Sequence, residues 1–189
     1  MITLHTGITG PDQTNGTSSV LYNVGSDIDG GIYTTVPLFK FNLTPYAGAT
    51  ITGAATVSLF YSGSANFNAV TGSIHPVLVN WTETGTTWNN FGASPGPNAG
   101  TDYGTELQTV TYLPGSTLTF DIPGSVIQGW IDAPVTNNGL MLIMNGRDIT
   151  FSSKESGGTA PTLTFIPEPS AALLAALTLP LALFRRKRA

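Results

Sequence analysis

The sequence predicts an all-β domain, a two-sheet antiparallel sandwich with one short helix, followed by a separate C-terminal hydrophobic helix. Three observations carry that expectation. The 189 residues include 28 Thr, 22 Gly and 13 Pro, while charged residues make up only 10%, against about 25% in an ordinary soluble domain. That balance favours extended strands and tight turns over helices. Short apolar and β-branched runs also recur between clusters of Gly, Pro, Asn and Asp. Finally, the composition breaks abruptly at Pro167-Glu168-Pro169.

In chain order the expected strands are Ser19–Val24, Val36–Leu43, Ala54–Tyr61, Ser73–Asn80, Thr109–Tyr112, Leu118–Ile122, Leu140–Asn145, Ile149–Ser152 and Thr162–Phe165. In the second, Phe39, Phe41 and Leu43 alternate with Lys40 and Asn42, which puts one face inside and the other in water. Val57, Leu59 and Tyr61 repeat the pattern in the third. Val126, Ile127, Trp130 and Ile131 fall at i, i+1, i+4 and i+5, the stripe of a single amphipathic helix. Asn137-Asn138-Gly139 then turns the chain into the next strand. Many short strands without long helices bury their apolar faces by packing sheet on sheet. The expected core includes Phe39, Phe41, Leu59, Phe120, Trp130 and Leu142.

Charge and cysteine content exclude several functions. Residues 1–166 hold three basic groups, Lys40, Arg147 and Lys154, against ten acidic ones, a net of −7. Nucleic-acid binding depends on neutralising phosphates with Lys and Arg, so it is not expected. Cysteine is absent, which removes disulfide frameworks, thiolate metal sites and cysteine nucleophiles.

Downstream of the break, Ser170–Phe184 is almost wholly apolar and is followed by Arg185, Arg186, Lys187 and Arg188. Fifteen residues at about 1.5 Å each give roughly 22 Å of helix, short of the roughly 30 Å hydrocarbon core. The terminal cations favour a span, because they stay cytoplasmic and lengthen the anchor by snorkelling. Pro-Glu-Pro, a short hydrophobic helix and a basic end, in that order, resemble the PEP-CTERM protein-sorting signal. The resemblance implies export from a Gram-negative bacterium and an inner-membrane-anchored precursor. It also implies recognition by an exosortase, cleavage near Pro167, Glu168 and Pro169, and delivery to the cell surface or an exopolysaccharide-rich matrix. Export calls for an N-terminal signal peptide, and Met1-Ile-Thr-Leu-His-Thr-Gly7 has neither a basic n-region nor an apolar h-region. Met1 is therefore read as a late start or a trimmed end. Two regions are expected: residues 1–166 as the sandwich and 167–189 as the sorting tail.

The body resembles the DNRLRE family, a jelly-roll group that includes alginate-binding carbohydrate modules. The resemblance runs from about Gly16 to Phe165. It is carried by Val20-Leu21-Tyr22-Asn23-Val24-Gly25, Leu38-Phe39-Lys40-Phe41-Asn42-Leu43 and the stretch Trp81 to Asn89. Phe120-Asp121-Ile122 leading to Trp130, Asn138-Gly139-Leu140 and Phe151-Ser152-Ser153-Lys154-Glu155 follow in order. The literal DNRLRE string is missing, and Lys40 and Lys154 stand where Arg is common. The resemblance implies a jelly-roll winding and a polysaccharide partner.

Glycan cleavage needs paired carboxylates, or a base with a tyrosine or histidine acid, in one cleft. Glu83, Glu106, Asp121, Asp132, Asp148 and Glu155 are scattered singly among turns, and the two histidines, His5 and His75, form no recognisable motif. An enzyme is not expected. Asp27-Ile28-Asp29-Gly30-Gly31 offers two hard oxygen ligands to a structural Ca²⁺, yet Asp and Gly are also what any surface turn uses. No other cofactor is expected.

Two readings of the aromatic residues stand side by side. Flat rings stack on the apolar faces of sugars, so Trp81, Trp88 and Tyr103 are candidate glycan platforms. Alternatively, Trp81 and Trp88 pin a long loop onto the core, and Trp130 is core. Lys40, Arg147 and Lys154, nearly the only cations of an acidic body, are candidate contacts for an acidic glycan or ordinary solvated side chains. Because net negative charge repels polyanions, a neutral or weakly charged polysaccharide fits better. The expected function is that of an exported, non-catalytic surface or matrix protein that binds carbohydrate. The alternative is a purely structural or adhesive matrix protein without a glycan site.

Overall fold

The structure is a computed structural model, and it describes residues 2–5, 20–23, 35–64, 68–92, 96–144, 149–157 and 159–168. Asp27, Asp29, Arg147, Pro169, the apolar stretch 170–184 and Arg185–Arg188 lie outside the described residues.

Eleven strands and one α-helix make up the described body: β1 Ile2–His5, β2 Val20–Asn23, β3 Thr35–Phe39, β4 Ala55–Leu59, β5 Tyr61–Ser64, β6 Val70–Pro76, β7 Gln108–Tyr112, β8 Leu118–Ile122, α1 Gly124–Asp132, β9 Leu140–Met144, β10 Ile149–Ser152 and β11 Thr162–Thr164. Every pairing between these strands is antiparallel. One sheet has the order β1-β3-β9-β6-β7; two three-stranded sheets have the orders β2-β10-β5 and β11-β4-β8. Only Phe60 separates β4 from β5, and the Ser152 amide donates to the Phe60 carbonyl at 2.8 Å. The pair therefore runs as one bent strand, with β10 and then β11 pairing to successive parts of it.

The sheets share a single main core. Phe39, Ile74, Tyr112 and Leu142 from the five-stranded sheet meet Leu59, Ile122, Ile149 and Phe151 from the others, each fully buried. In β4, β6, β7 and β8 the alternation of buried and wetter positions is the two-residue period of a half-buried strand. In α1 the expected stripe holds: Ile127, Trp130 and Ile131 are buried and Val126 packs beside the core. Among the described residues no helix is long and apolar enough to cross a membrane.

The structure corrects the expected element set in three places. β1 and β5 are strands that the composition of their short segments did not signal. The strand expected over Val36–Leu43 ends at Phe39, all five of its residues are buried, and residues 40–43 leave the sheet. The strand expected over Ser73–Asn80 instead covers Val70–Pro76.

Both faces of β3 and β9 are buried for a common reason. Val36, Leu38 and Met141 point away from the main core into a second apolar cluster with Val77, Trp81 and Phe91. The long excursion between β6 and β7 folds over this outer face. An outward face roofed in this way needs apolar residues, which removes the period-two signal from Leu140-Met-Leu-Ile-Met144.

Candidate functional site

The chain leaves β3 at Phe39 and forms a wall over residues 40–47, closed by a 3-10 turn at Thr44–Tyr46. The opposite wall comes from the end of α1 and the turn at Pro134–Thr136. Between them lies a cavity of about 500 Å³ lined by Lys40, Phe41, Asn42, Thr44, Trp130 and Asn137, with further apolar contacts from Leu43, Ala47, Ile131 and Pro134. Its floor is apolar because Trp130, Ile131 and Leu43 belong to the main core.

Four hydrogen bonds and one close backbone approach fix the walls. The Asn137 side-chain amide donates to the Phe41 carbonyl at 3.0 Å, stitching one wall to the other. Asn42 Oδ1 accepts from the Thr44 amide at 3.0 Å and shapes the turn. Gln128, on α1, accepts from the Ile51 amide at 2.6 Å and donates to the Ala49 carbonyl at 3.3 Å. At Gly139, where φ is +78°, an added Cβ would lie 2.3 Å from the Phe39 carbonyl oxygen, so only glycine lets the turn pass so near the start of the wall.

Lys40 is exposed at the mouth, with its Nζ 5.4 Å from the centre of the Trp81 ring. That distance falls within the range of a cation–π attraction. Trp81 is itself 5% exposed, and its Nε1 donates to the Asn138 carbonyl at 2.7 Å. It therefore ties the long loop to the turn that also carries Asn137. Trp88 is half-buried against the second cluster, with its ring beside Gly96. Tyr103 is half-buried in the same cluster and packs edge-on against His75 at 4.9 Å. The His75 ring is bonded on both sides, Nδ1 donating to the Gly104 carbonyl and Nε2 meeting the Ser73 hydroxyl.

Lys154 stands apart from these residues in an ion-paired group, 2.8 Å from Glu83 and 3.1 Å from Glu155. Burial pushes the Glu83 carboxyl up, but the hydrogen bond and charge of Lys154 are among the influences that outweigh it and hold it below its ordinary value. Glu83, then Glu155, raise Lys154 in turn. At the end of the body Pro167 is half-buried, and Glu168 is exposed yet bonded to the Thr50 carbonyl and the Thr52 hydroxyl.

Of the sequence candidates, the structure brings Lys40 and Trp81 together and places Trp88 and Tyr103 with Trp81 in the roof over the outer sheet face. It gives Lys154 to an ion pair. Phe41, Asn42, Thr44, Trp130 and Asn137 line the cavity and were not candidates. The signal for Asn137 was present in Asn137-Asn138-Gly139, but it read only as turn chemistry. Among the described residues no carboxylate or histidine lines the cavity, and no group of three or more His, Asp or Glu could hold a metal ion. An apolar floor with an ammonium, amides and a hydroxyl at the rim can hold an amphipathic ligand by stacking and hydrogen bonding.

Antiparallel sheets packed around one main core, with one short helix, define an all-β module. The family model for carbohydrate-binding module family 96 matches residues 6–166, and the chain belongs to that family. A carbohydrate-binding module is a non-catalytic domain. None of the curated proteins matches the chain.

Proposed function

We propose that the protein binds a polysaccharide in the cavity between residues 40–47 and α1, as an exported component of a cell-surface or exopolysaccharide matrix. The observation that carries this reading is the cavity itself, in a chain of a carbohydrate-binding family: an apolar floor on Trp130 and Phe41 under a rim of Lys40, Asn42 and Thr44. A pyranose ring offers C–H faces to such a floor and hydroxyls to such a rim. Lys40 is the described cation at this cavity, whereas Lys154 is engaged by two carboxylates. With a net of −7 over residues 1–166, a neutral or weakly charged chain is the ligand of choice, since long-range repulsion slows a polyanion. In this reading the body is wound as a jelly roll, and the hydrophobic stretch 170–184 anchors a precursor in the membrane until an exosortase cleaves near Pro167–Pro169.

Affinity electrophoresis tests the reading. The full chain, in a zwitterionic detergent without a sugar headgroup, is run through gels containing soluble starch, hydroxyethyl cellulose, xylan, polygalacturonate or alginate. Retardation by a neutral polysaccharide that Lys40→Ala and Trp130→Phe both weaken is the expected result. Free migration through all five gels, together with concentration-dependent assembly, refutes it in favour of a structural matrix protein.

A further inference from the structure

The wall formed by residues 40–47 continues to Ile51 and Thr52, and its outer side rests on the last described segment of the chain. Tyr46, in the 3-10 turn of the wall, packs edge-on against Phe165, with ring centres 4.7 Å apart. Phe165 and Leu163 in turn pack against the main core. Two residues after Phe165 comes Pro167, half-buried, and then Glu168. The Glu168 amide donates to the Thr50 carbonyl at 2.9 Å, and the Thr52 hydroxyl donates to Glu168 Oε1 at 2.6 Å. Gln128 holds Ile51 and Ala49 from the helix side. The wall is thus gripped from α1 on one side and by a strap of residues 165–168 on the other.

The geometry points to Phe165 and Glu168 as positioning residues of the cavity, setting the wall that carries Lys40, Asn42 and Thr44 so that ligand occupancy and strap docking are linked. This inference rests on the reading of the cavity as the glycan site. The wall has no strand pairing of its own beyond Phe39, since the chain from Lys40 to Ala54 runs as turns and irregular structure. Such a segment opens locally at low cost unless side-chain contacts hold it. Phe165 supplies an apolar contact and Glu168 an acceptor, and neither touches the cavity. By linkage, whatever steadies the wall raises affinity, and bound ligand steadies the strap equally. The Glu168 role is that of an acceptor rather than a charge, because its side-chain partner in the wall is a neutral hydroxyl.

The test uses the full chain in the same detergent, with Glu168→Ala, Glu168→Gln and Phe165→Ala, all measured well below their melting temperatures. Hydrogen exchange is read first, without any glycan. Peptides spanning 41–52 should exchange faster in Glu168→Ala and Phe165→Ala, while peptides from β6 and β8 keep the wild-type rate. Glu168→Gln retains an acceptor for Thr52 and should restore wild-type exchange. Retardation in the gel that holds the wild type most strongly is read second. Losing one hydrogen bond of ordinary strength should weaken binding about 3-fold, and losing the aromatic contact about 10-fold. Unchanged exchange over 41–52 overturns the positioning role whether or not any glycan binds. Faster exchange with undiminished retardation also overturns it. A wild type that migrates freely through every gel refutes the glycan reading instead, and the exchange data alone then decide the strap.

Discussion

Replacing Gly139 by alanine probes a close backbone approach beside the cavity. Gly139 sits at φ +78°, and a Cβ there would lie 2.3 Å from the Phe39 carbonyl oxygen and 2.9 Å from Lys40 Cα, both backbone atoms that cannot swing aside. Two costs follow. Holding an L-residue in the left-handed region costs about 1–2 kcal/mol, and forcing packed backbone apart adds about 1–3 kcal/mol. Gly115 separates them. It has φ +77° with nothing within 4 Å of its Cβ position, so Gly115→Ala incurs the first cost alone. The unfolded-state gain of Gly→Ala, about 0.4–1 kcal/mol, is common to both and cancels in the comparison. Urea denaturation of the full chain should thus place Gly139→Ala about 1–3 kcal/mol below Gly115→Ala. Glycan retardation should fall in Gly139→Ala, because the 137–139 turn and the 39–40 wall are pushed apart, and stay intact in Gly115→Ala. Equal destabilisation of the two variants would refute the close approach, and with it the account of how the cavity is set.

Trp81→Phe keeps most of the apolar volume but leaves the buried Asn138 carbonyl without its donor, so stability should fall by about 1–3 kcal/mol in thermal or urea melts. Phe39→Ala empties a fully buried position in the main core and should cost about 3–5 kcal/mol by the same assays. A double-mutant cycle on Glu83 and Lys154, both partly exposed, should return a coupling of only about 0.2–1 kcal/mol that shrinks with added salt. The sign of its pH dependence follows from the shifts. Glu83 is lowered, so its share is present above the ordinary carboxylate value and lost as pH falls through the lowered one; Lys154 is raised, so its share is present below the ordinary lysine value and lost as pH climbs through the raised one. A coupling that grows as pH falls below the carboxylate range, or as it climbs past the lysine range, contradicts that assignment. Mass spectrometry of secreted protein from a native host should find a C-terminus near Pro167–Pro169, and an intact Arg185–Arg188 end defeats the sorting reading.

How much of this was legible in the sequence depends on what each segment is packed against. β8 and β10 were readable to the residue, because each begins and ends at turn-forming positions. The helix was readable because a four-residue stripe has no other explanation. β3 was misjudged at its end: Phe39, Phe41 and Leu43 do point toward apolar surroundings, so the alternation was real, but a chain leaving a sheet can keep alternating while it pairs with nothing. Pairing is a property of two segments, and the partner of residues 40–43 is a helix turn through Asn137, distant in sequence.

The candidate site shows the same limit more sharply. Lys40 stood out because cations are scarce in the body, and Trp81 because flat rings suit sugars, but neither signal says which residues meet. Their meeting depends on the loop between β6 and β7 folding back over β3 and β9, with the Trp81 indole reaching a carbonyl 57 positions on. That contact makes Trp81 a pin that holds the loop on the core, the second of the two readings its sequence allowed. The apolar surface a sugar would touch then passes to Trp130 and Phe41, residues whose sequence signature is that of core. A cavity floored by core side chains leaves no pattern of its own, since the same rings would be needed to fill the sandwich if nothing bound. The 500 Å³ between the helix end and the wall is bounded by segments that the Gly139 approach, the Gln128 bridge and the strap at Phe165 and Glu168 hold in place. Each of these is a long-range contact, and each can be cut separately while Trp130 and Phe41 stay in place.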